Sequence, residues 1–220
     1  MRNGTTPECS DEYSIYNPYE KLVNVYMLCM EIVQVSSLYK SLRNEIENRN
    51  QHEITVILSR LMFDYIIINW AKVCGGKGET LHICKVFPNA GYPIDVVRSD
   101  FLTAMGLSKE QYEVMHTHLL DWRDKLLAHF DFGKAFALTH NASFFDNIQP
   151  QCRSIAQSVI KAFDKAYLDN PDFKCSLCGD NRIFKLNEIA DILRQKLRDY
   201  PIDCSLSKWR EILQDLVREE

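Results

Sequence analysis

The stretch Ser108–Phe130, with the sequence SKEQYEVMHTHLLDWRDKLLAHF, combines a strong helical pattern with a dense group of charged residues beside apolar ones. Ser108 is a suitable N-cap, and Gln111 three residues later completes a capping box. This stretch predicts an amphipathic helix that packs one face on a core. Its buried stripe is expected to consist of Leu119, Trp122, Leu126 and Leu127.

Helical spacing of apolar residues extends outward from this stretch over most of the chain. Gly and Pro are scarce, at 8 and 7 residues, which disfavours a turn-rich β fold. We therefore expect an all-α fold without a sheet larger than two short strands. The helix near 52–72 is apolar on more than one face, which is typical of a central, buried helix. The other helices are expected at about 18–48, 151–168, 185–199 and 205–219.

The breaks between these helices indicate how the chain is organised. The glycine-rich run Cys74–Gly78 is expected to end the second helix through a left-handed glycine. Residues 80–100 are expected to be irregular, and residues 131–149 to form a long connection. The parts of the chain are then a flexible N-terminal arm at 1–17, a helical bundle at 18–169, and a C-terminal part at 170–220 whose helices pack on the bundle.

The composition is typical of a soluble globular protein. The chain has 220 residues and is 46% hydrophobic, enough for a sizeable core. Its net charge of -4 argues against a general nucleic-acid binder but allows a local basic cleft. The first residues lack the apolar region of a signal peptide, so we expect a cytoplasmic protein. Charged residues interrupt the apolar stretch Ile54–Val73, so no membrane span is expected.

Helix geometry limits what Arg123 and His129 can do together. Six residues turn a helix by about 600°, so the two side chains point about 120° apart and lie about 9 Å apart along the axis. They flank a groove rather than touch, whereas Lys125 and His129 share a face. Because this polar set borders the apolar stripe, it indicates an active cleft or a subunit interface.

The run Arg123-Asp124-Lys125-Leu126-Leu127-Ala128-His129-Phe130-Asp131 resembles the signature of the HEPN superfamily (higher eukaryotes and prokaryotes nucleotide-binding domain). It is most similar to the subgroup of abortive-infection proteins of phage defence, and Leu58–Asp64 is similar to that subgroup's central-helix pattern. The resemblance covers residues 20–168. It implies a HEPN-like up-and-down helical bundle with extra C-terminal helices. Asp131 departs from the Tyr that members controlled by tyrosine modification carry there.

The resemblance also implies a function, because many members are metal-independent endoribonucleases that dimerise across one cleft. His129 would then move a proton at the ribose 2′-hydroxyl or the leaving oxygen. Arg123 would hold the scissile phosphate, and Asp124 would orient Arg123 or His129. Lys125 would bind the RNA substrate, and catalysis would need no cofactor. A defence or toxin setting would add an antitoxin or defence partner to the homodimer.

Two other interpretations of this run stay open. Arg123 and Asp124 can form an ordinary surface ion pair, with His129 stabilised by the helix dipole. A HEPN-like bundle without catalysis can also serve as a nucleic-acid- or protein-binding module, which the acidic balance favours. An open, positive surface would support the enzyme, and burial of Arg123 and His129 would support the module. His116 is interpreted as a solvated or capping residue.

The cysteines raise the question of a structural metal. Cys175 and Cys178 lie in an expected tight loop at 175–181 and have the spacing of half a zinc site. A lone Cys-x-x-Cys pair is a weak signal, so unpaired structural thiols are favoured over zinc and over a redox pair. Cys29 and Cys152 are expected to be small core residues. The remaining zinc ligands would come from Cys74, His82, Cys84 and Cys204.

Overall fold

The computed structural model describes residues 18–48, 53–76, 78–128, 143–176 and 183–199. The expected all-α class is confirmed, since the strands within these residues form one antiparallel pair between two helices. In chain order the elements are α1 (Pro18–Asn48), α2 (Glu53–Cys74), α3 (Ile83–Asn89), α4 (Ile94–Met105), α5 (Lys109–Ala128), α6 (Ser143–Asp169), β1 (Lys174–Ser176), β2 (Ile183–Lys185) and α7 (Leu186–Asp199).

The core is built around α1. Its residues Leu22, Val25 and Cys29 are fully buried and recur three or four residues apart, as the sequence predicts. α1 packs against α2 and α6, while α4 and α7 pack on α6 and α5 packs on α2. Tyr26 of α1 donates a hydrogen bond of 2.7 Å to the carbonyl of Leu193, which holds α7 on the bundle.

The helix with the hydropathy of a membrane span is α1 rather than the stretch Ile54–Val73. Among the described residues, the segment Pro18–Leu42 meets the length and composition of such a span, and 56% of its most apolar window is buried inside the protein. A core helix of a soluble protein has the same properties. The packing of α1 between α2 and α6 accounts for its apolar composition.

The expectation that α2 is buried all round is wrong for its first half. Ile57 and Leu61 are 58% and 59% exposed and lie four residues apart on one face, with Tyr65 one turn further on. Ile66 and Trp70, in the second half, are fully buried. α2 packs on α1 and α5 with its other side. Apolar residues on several faces therefore predict the helix itself but not which faces are covered.

Residues 83–105 form two helices rather than the irregular segment that their prolines indicate. α3 begins after His82, whose Nδ1 accepts a hydrogen bond of 3.1 Å from the backbone N–H of Cys84. α4 ends at Gly106, which takes the left-handed conformation with φ of 66°. Phe87 and other apolar residues of both helices are buried in the core. This packing outweighs the local signal of the prolines.

α6 begins at Ser143, so the end of the expected connection at 131–149 is helical. Pro150 lies inside this helix, where the sequence indicates a boundary. Packing holds the turn before the proline in place, because Gln149 donates a hydrogen bond of 2.7 Å to the Ser37 hydroxyl of α1. Long-range contacts thus override the local preference at Pro150.

The β pair places Cys175 in a strand rather than in the expected tight loop. Cys175 lies opposite Phe184 in the antiparallel register. The rest of that loop, the arm at 1–17 and the helix predicted at 205–219 lie outside the described residues.

Candidate functional site

The structure forms the predicted cap of α5 and buries two of the four residues of its predicted stripe. The Ser108 backbone N–H donates to Gln111 Oε1 at 2.8 Å, and the Gln111 N–H donates to Ser108 Oγ at 3.3 Å, so the capping box is confirmed. Leu119 and Trp122 are buried, and the Trp122 ring lies 5.1 Å from the Phe63 ring of α2. These contacts fix the rotation of α5 and place Arg123 at the edge of the packed face. The side chains of Leu126 and Leu127 lie outside the described part.

Arg123 and Asp124 lie side by side on α5. Nε and Nη2 of Arg123 contact the same carboxylate oxygen, Oδ1 of Asp124, at 2.8 and 2.7 Å. The Arg123 side chain is 23% exposed and the Asp124 side chain is 64% exposed, so most of the Arg123 side chain is covered while its partner faces water. Asp124 therefore fixes the orientation of the guanidinium. The same geometry also fits an ordinary surface ion pair.

Two residues of the predicted site are not placed by the structure. His129 lies outside the described residues, and so does the side chain of Lys125, whose backbone belongs to α5. Their roles in proton transfer and in RNA binding stay predictions.

His116 lies on nearly the same side of α5 as Arg123, two turns earlier. Its Nε2 donates a hydrogen bond of 2.6 Å to the carbonyl of Cys74, the last residue of α2. Its ring packs edge-on against Trp70, with the ring centroids 5.4 Å apart. His116 is thus a half-buried capping residue, although it caps the end of α2 rather than its own helix.

The loop after α2 turns tightly at Gly75. The Gly75 N–H donates to the Ala71 carbonyl at 2.8 Å, and a Cβ on Gly75 would lie 2.3 Å from that same oxygen. The predicted end of α2 is confirmed, but the predicted left-handed glycine is wrong. Among the described residues, positive φ belongs to Gly91 and Gly106. Gly75 is required because the backbone comes too close to leave room for a side chain.

The same loop lies against the Arg123 guanidinium. A Cβ built on Gly76 would lie 3.9 Å from Arg123 Nη1. The guanidinium is therefore held between the Asp124 carboxylate on its own helix and the loop that follows α2. The sequence places Arg123 on a helix but does not indicate this second neighbour.

His82 holds the loop through a neutral ring. Its Nδ1 accepts from the Cys84 N–H, so Nε2 carries the proton and donates to the Gly75 carbonyl at 3.1 Å. Burial lowers the pKa of His82, although the bond to Gly75 opposes this shift. Because His82 is only 5% exposed and both nitrogens are engaged, it positions the loop rather than exchanging protons with a ligand. The nearby basic groups that lower its pKa further belong to His116, Lys85 and Arg98.

Among the described residues, the candidate zinc ligands Cys74, His82 and Cys84 do not form a metal site. Both ring nitrogens of His82 bond to the backbone, and Arg98 Nη2 donates to Cys84 Sγ at 3.0 Å. Across the described residues, no group of three His, Cys, Asp or Glu side chains could hold a metal ion. The zinc site at Cys175 and Cys178 stays a prediction, because Cys178 and Cys204 and the side chain of Cys175 lie outside those residues.

The buried cysteines have a structural role. Cys29 and Cys152 are fully buried, as predicted. Burial raises the pKa of the Cys29 thiol well above its usual value, and contact with Cys152 raises it further. Burial likewise raises the pKa of Cys74. A protonated, inaccessible thiol is a poor nucleophile, which favours core packing over redox chemistry.

Comparison with family models, curated proteins and solved structures finds no match to this chain. The chemistry of the site follows from its own side chains. A guanidinium fixed by a carboxylate, beside a loop held by two histidines, is suited to bind an oxyanion such as a phosphate.

Proposed function

We propose that this protein is a metal-independent endoribonuclease of the HEPN type that acts in the cytoplasm as a defence or toxin effector. The observation that carries the proposal is the Arg123 guanidinium, which Asp124 holds in one orientation on α5. A guanidinium held in one orientation loses little freedom when it binds a phosphate, and it can stabilise charge that develops there.

The chemistry follows from the residues of the run. The ribose 2′-oxygen attacks the adjacent phosphorus, the bond from phosphorus to the 5′-oxygen breaks, and a 2′,3′-cyclic phosphate and a 5′-hydroxyl form. His129 takes the proton of the 2′-hydroxyl or delivers a proton to the leaving 5′-oxygen. Arg123 stabilises the negative charge on the phosphoryl oxygens, and Lys125 binds the backbone of the substrate.

A homodimer accounts for the geometry of the run. Positions 123 and 129 of an ideal helix point about 120° apart, so a single copy of the run would present both groups to one phosphate poorly. A second copy can supply the missing group from its own α5. Sedimentation at tens of micromolar is expected to show a dimer, and a monomer at that concentration would contradict the composite site.

The second candidate function is a binding module without catalysis. It is favoured by the position of Asp124, which neutralises the Arg123 charge in a chain of net charge -4. Such a module would bind RNA, an antitoxin or a defence protein through the same surface and leave RNA intact.

Cleavage of RNA in EDTA separates the two functions. The wild type is expected to release fragments that end in a 2′,3′-cyclic phosphate. His129→Ala and Arg123→Ala are each expected to cut at least about 100-fold more slowly. Lys109→Ala removes an exposed cation from the first turn of the same helix and should cut at the wild-type rate. If the wild type leaves RNA intact, or if His129→Ala cuts equally well, the binding module replaces the enzyme.

A further inference from the structure

The segment from Lys72 to Arg98 is basic in an otherwise acidic chain. It contains four Lys or Arg and two Asp or Glu, whereas the whole chain has 26 Lys or Arg and 30 Asp or Glu. The fold brings two of these, Lys85 and Arg98, to the loop that follows α2, beside the neutral His82 ring, and adds His116 and Arg123 from α5. This basic cluster consists of His82, Lys85, Arg98, His116 and Arg123.

Lys85 and Arg98 supply exposed charge to the basic cluster. Lys85 Nζ donates one hydrogen bond of 3.1 Å to the Gly78 carbonyl, and an ammonium group has three N–H donors. Arg98 uses Nη2 for the Cys84 thiol, and a guanidinium has five N–H donors in all. Both side chains can therefore bind a further acceptor without leaving their present positions.

The basic groups lie close enough to act on one another. His116, Lys85 and Arg98 all disfavour the charged form of His82, which is itself buried. Because His82 is neutral, the positive charge of the cluster is carried by Lys85, Arg98 and Arg123, and this charge attracts an anion. The exposed Lys85 and Arg98 beside a neutral ring therefore favour a negatively charged ligand at this surface.

The loop leaves room for such a ligand. A Cβ built on Gly78 meets no atom within 4 Å, so the space beside this residue is open. Gly76 likewise presents no side chain where it faces the Arg123 guanidinium. Glycines at these positions allow a phosphate backbone to approach the loop closely.

We propose that the basic cluster binds phosphate groups of a single-stranded RNA backbone, next to the phosphate that Arg123 holds. The choice of RNA rests on the proposed function, because a nuclease that cuts at Arg123 must also hold the strand beside the cut. Lys85 and Arg98 would neutralise the neighbouring phosphates. Contacts of this kind position the strand and carry no base preference.

Three carboxylates, those of Glu79 in the loop, Asp95 and Asp124, reduce the positive charge of the cluster. Asp95 lies 4.0 Å from Arg98 and is largely exposed, and a surface ion pair of that length contributes little free energy. Asp124 occupies one edge of the Arg123 guanidinium. A phosphate can therefore compete for Arg98, and Arg123 keeps Nη1 as a further donor beside Gly76.

Binding of a non-cleavable RNA tests the inference independently of cleavage. The probe is a fluorescent single-stranded 2′-O-methyl RNA, and anisotropy is measured with the full chain from 50 to 200 mM salt. Lys85→Gln keeps a donor for the Gly78 carbonyl and loses the charge. It should weaken binding about 5- to 10-fold at low salt and reduce the salt slope by about 0.7, the value for one lost phosphate contact.

Lys85→Arg should bind as the wild type does. Lys196→Gln removes an exposed lysine from α7 and should bind as the wild type does.

The outcomes separate this inference from the proposed function. If Lys85→Gln binds as tightly as the wild type, or if the wild type does not bind the probe at 50 mM salt, the basic cluster is not an RNA-binding site. If binding depends on Lys85 but the wild type cuts no RNA, the cluster binds RNA and the ribonuclease proposal is wrong. If the wild type cuts RNA and Lys85→Gln has unchanged affinity, the ribonuclease stands and this inference fails.

Discussion

The two halves of α2 have similar apolar sequences but are covered to different extents. The first half exposes Ile57 and Leu61, whereas the second half buries Ile66 and Trp70. The last turn leaves backbone carbonyls without partners in the helix, and burying them would be costly. His116 donates to one of these carbonyls, that of Cys74, and the pairing is part of what allows the second half to be buried. Burial thus depends on neighbours that satisfy the backbone as well as on apolar side chains.

The largest effect on stability is expected from shortening a buried side chain in the second half of α2. Ile66→Ala should lower the free energy of unfolding by about 3 kcal/mol, because it leaves a cavity in the core. Leu61→Ala, five residues earlier on the exposed face, should change it by less than about 0.5 kcal/mol. Urea unfolding measures both values. Equal losses in the two variants would show that the first half of α2 is also covered.

A smaller but substantial loss of stability is expected from a substitution just after the end of α2. Gly75→Ala places a Cβ 2.3 Å from the Ala71 carbonyl oxygen, and the contact is with backbone that cannot rotate away. The variant should lose about 2 kcal/mol, as overpacked sites do. Gly78→Ala meets no atom within 4 Å and is the matched control. If both variants unfold at the same denaturant concentration, the close turn at Gly75 does not constrain the loop.

The sequence predicts well those helices whose apolar spacing is long and regular. The start of α1 at Pro18, the capping box of α5 and the bounds of α7 near 185–199 agree with prediction because local signals and packing agree there. The sequence did not predict α3, α4 or the first turns of α6. Prolines in these segments disfavour a helix, and only contacts distant in sequence outweigh that preference. The hydrogen bond from Gln149 to Ser37 of α1 is one such contact.

The candidate site was likewise predicted only in part. The sequence places Arg123 and Asp124 on one helix, and the structure pairs them. The approach of His82, Lys85 and Arg98 was not predicted, because it arises from a loop that folds back between α2 and α5. The excess of Lys and Arg over Asp and Glu between residues 72 and 98 was an available signal. Local charge balance would have indicated this surface better than the balance of the whole chain.

A pH-dependent loss of stability is expected from His82. Its pKa is lowered in the folded protein, chiefly by burial, so below about pH 6.5 the unfolded chain binds a proton that the folded chain does not. Stability should therefore be highest above that pH and fall as the pH drops towards 5. His82→Asn keeps an acceptor for the cap of α3 and cannot titrate. The difference between wild-type and variant unfolding free energies at pH 7.5, 6.5 and 5.5 isolates His82, and a difference that is constant with pH would contradict its role.

A small effect on stability is expected from a substitution at the surface of α5, and it separates structure from function at the Arg123–Asp124 pair. Asp124→Asn removes a largely exposed ion pair and should change the free energy of unfolding by less than about 1 kcal/mol. If Asp124 serves to orient the guanidinium for a phosphate, cleavage of RNA should fall much more than this small loss of stability implies. Asp121→Asn, an exposed carboxylate one turn earlier, is the control for a change of net charge. Equal cleavage by wild type, Asp124→Asn and Asp121→Asn would leave Asp124 as an ordinary surface partner of Arg123, since an orienting group cannot be lost without a change in the reaction that it orients.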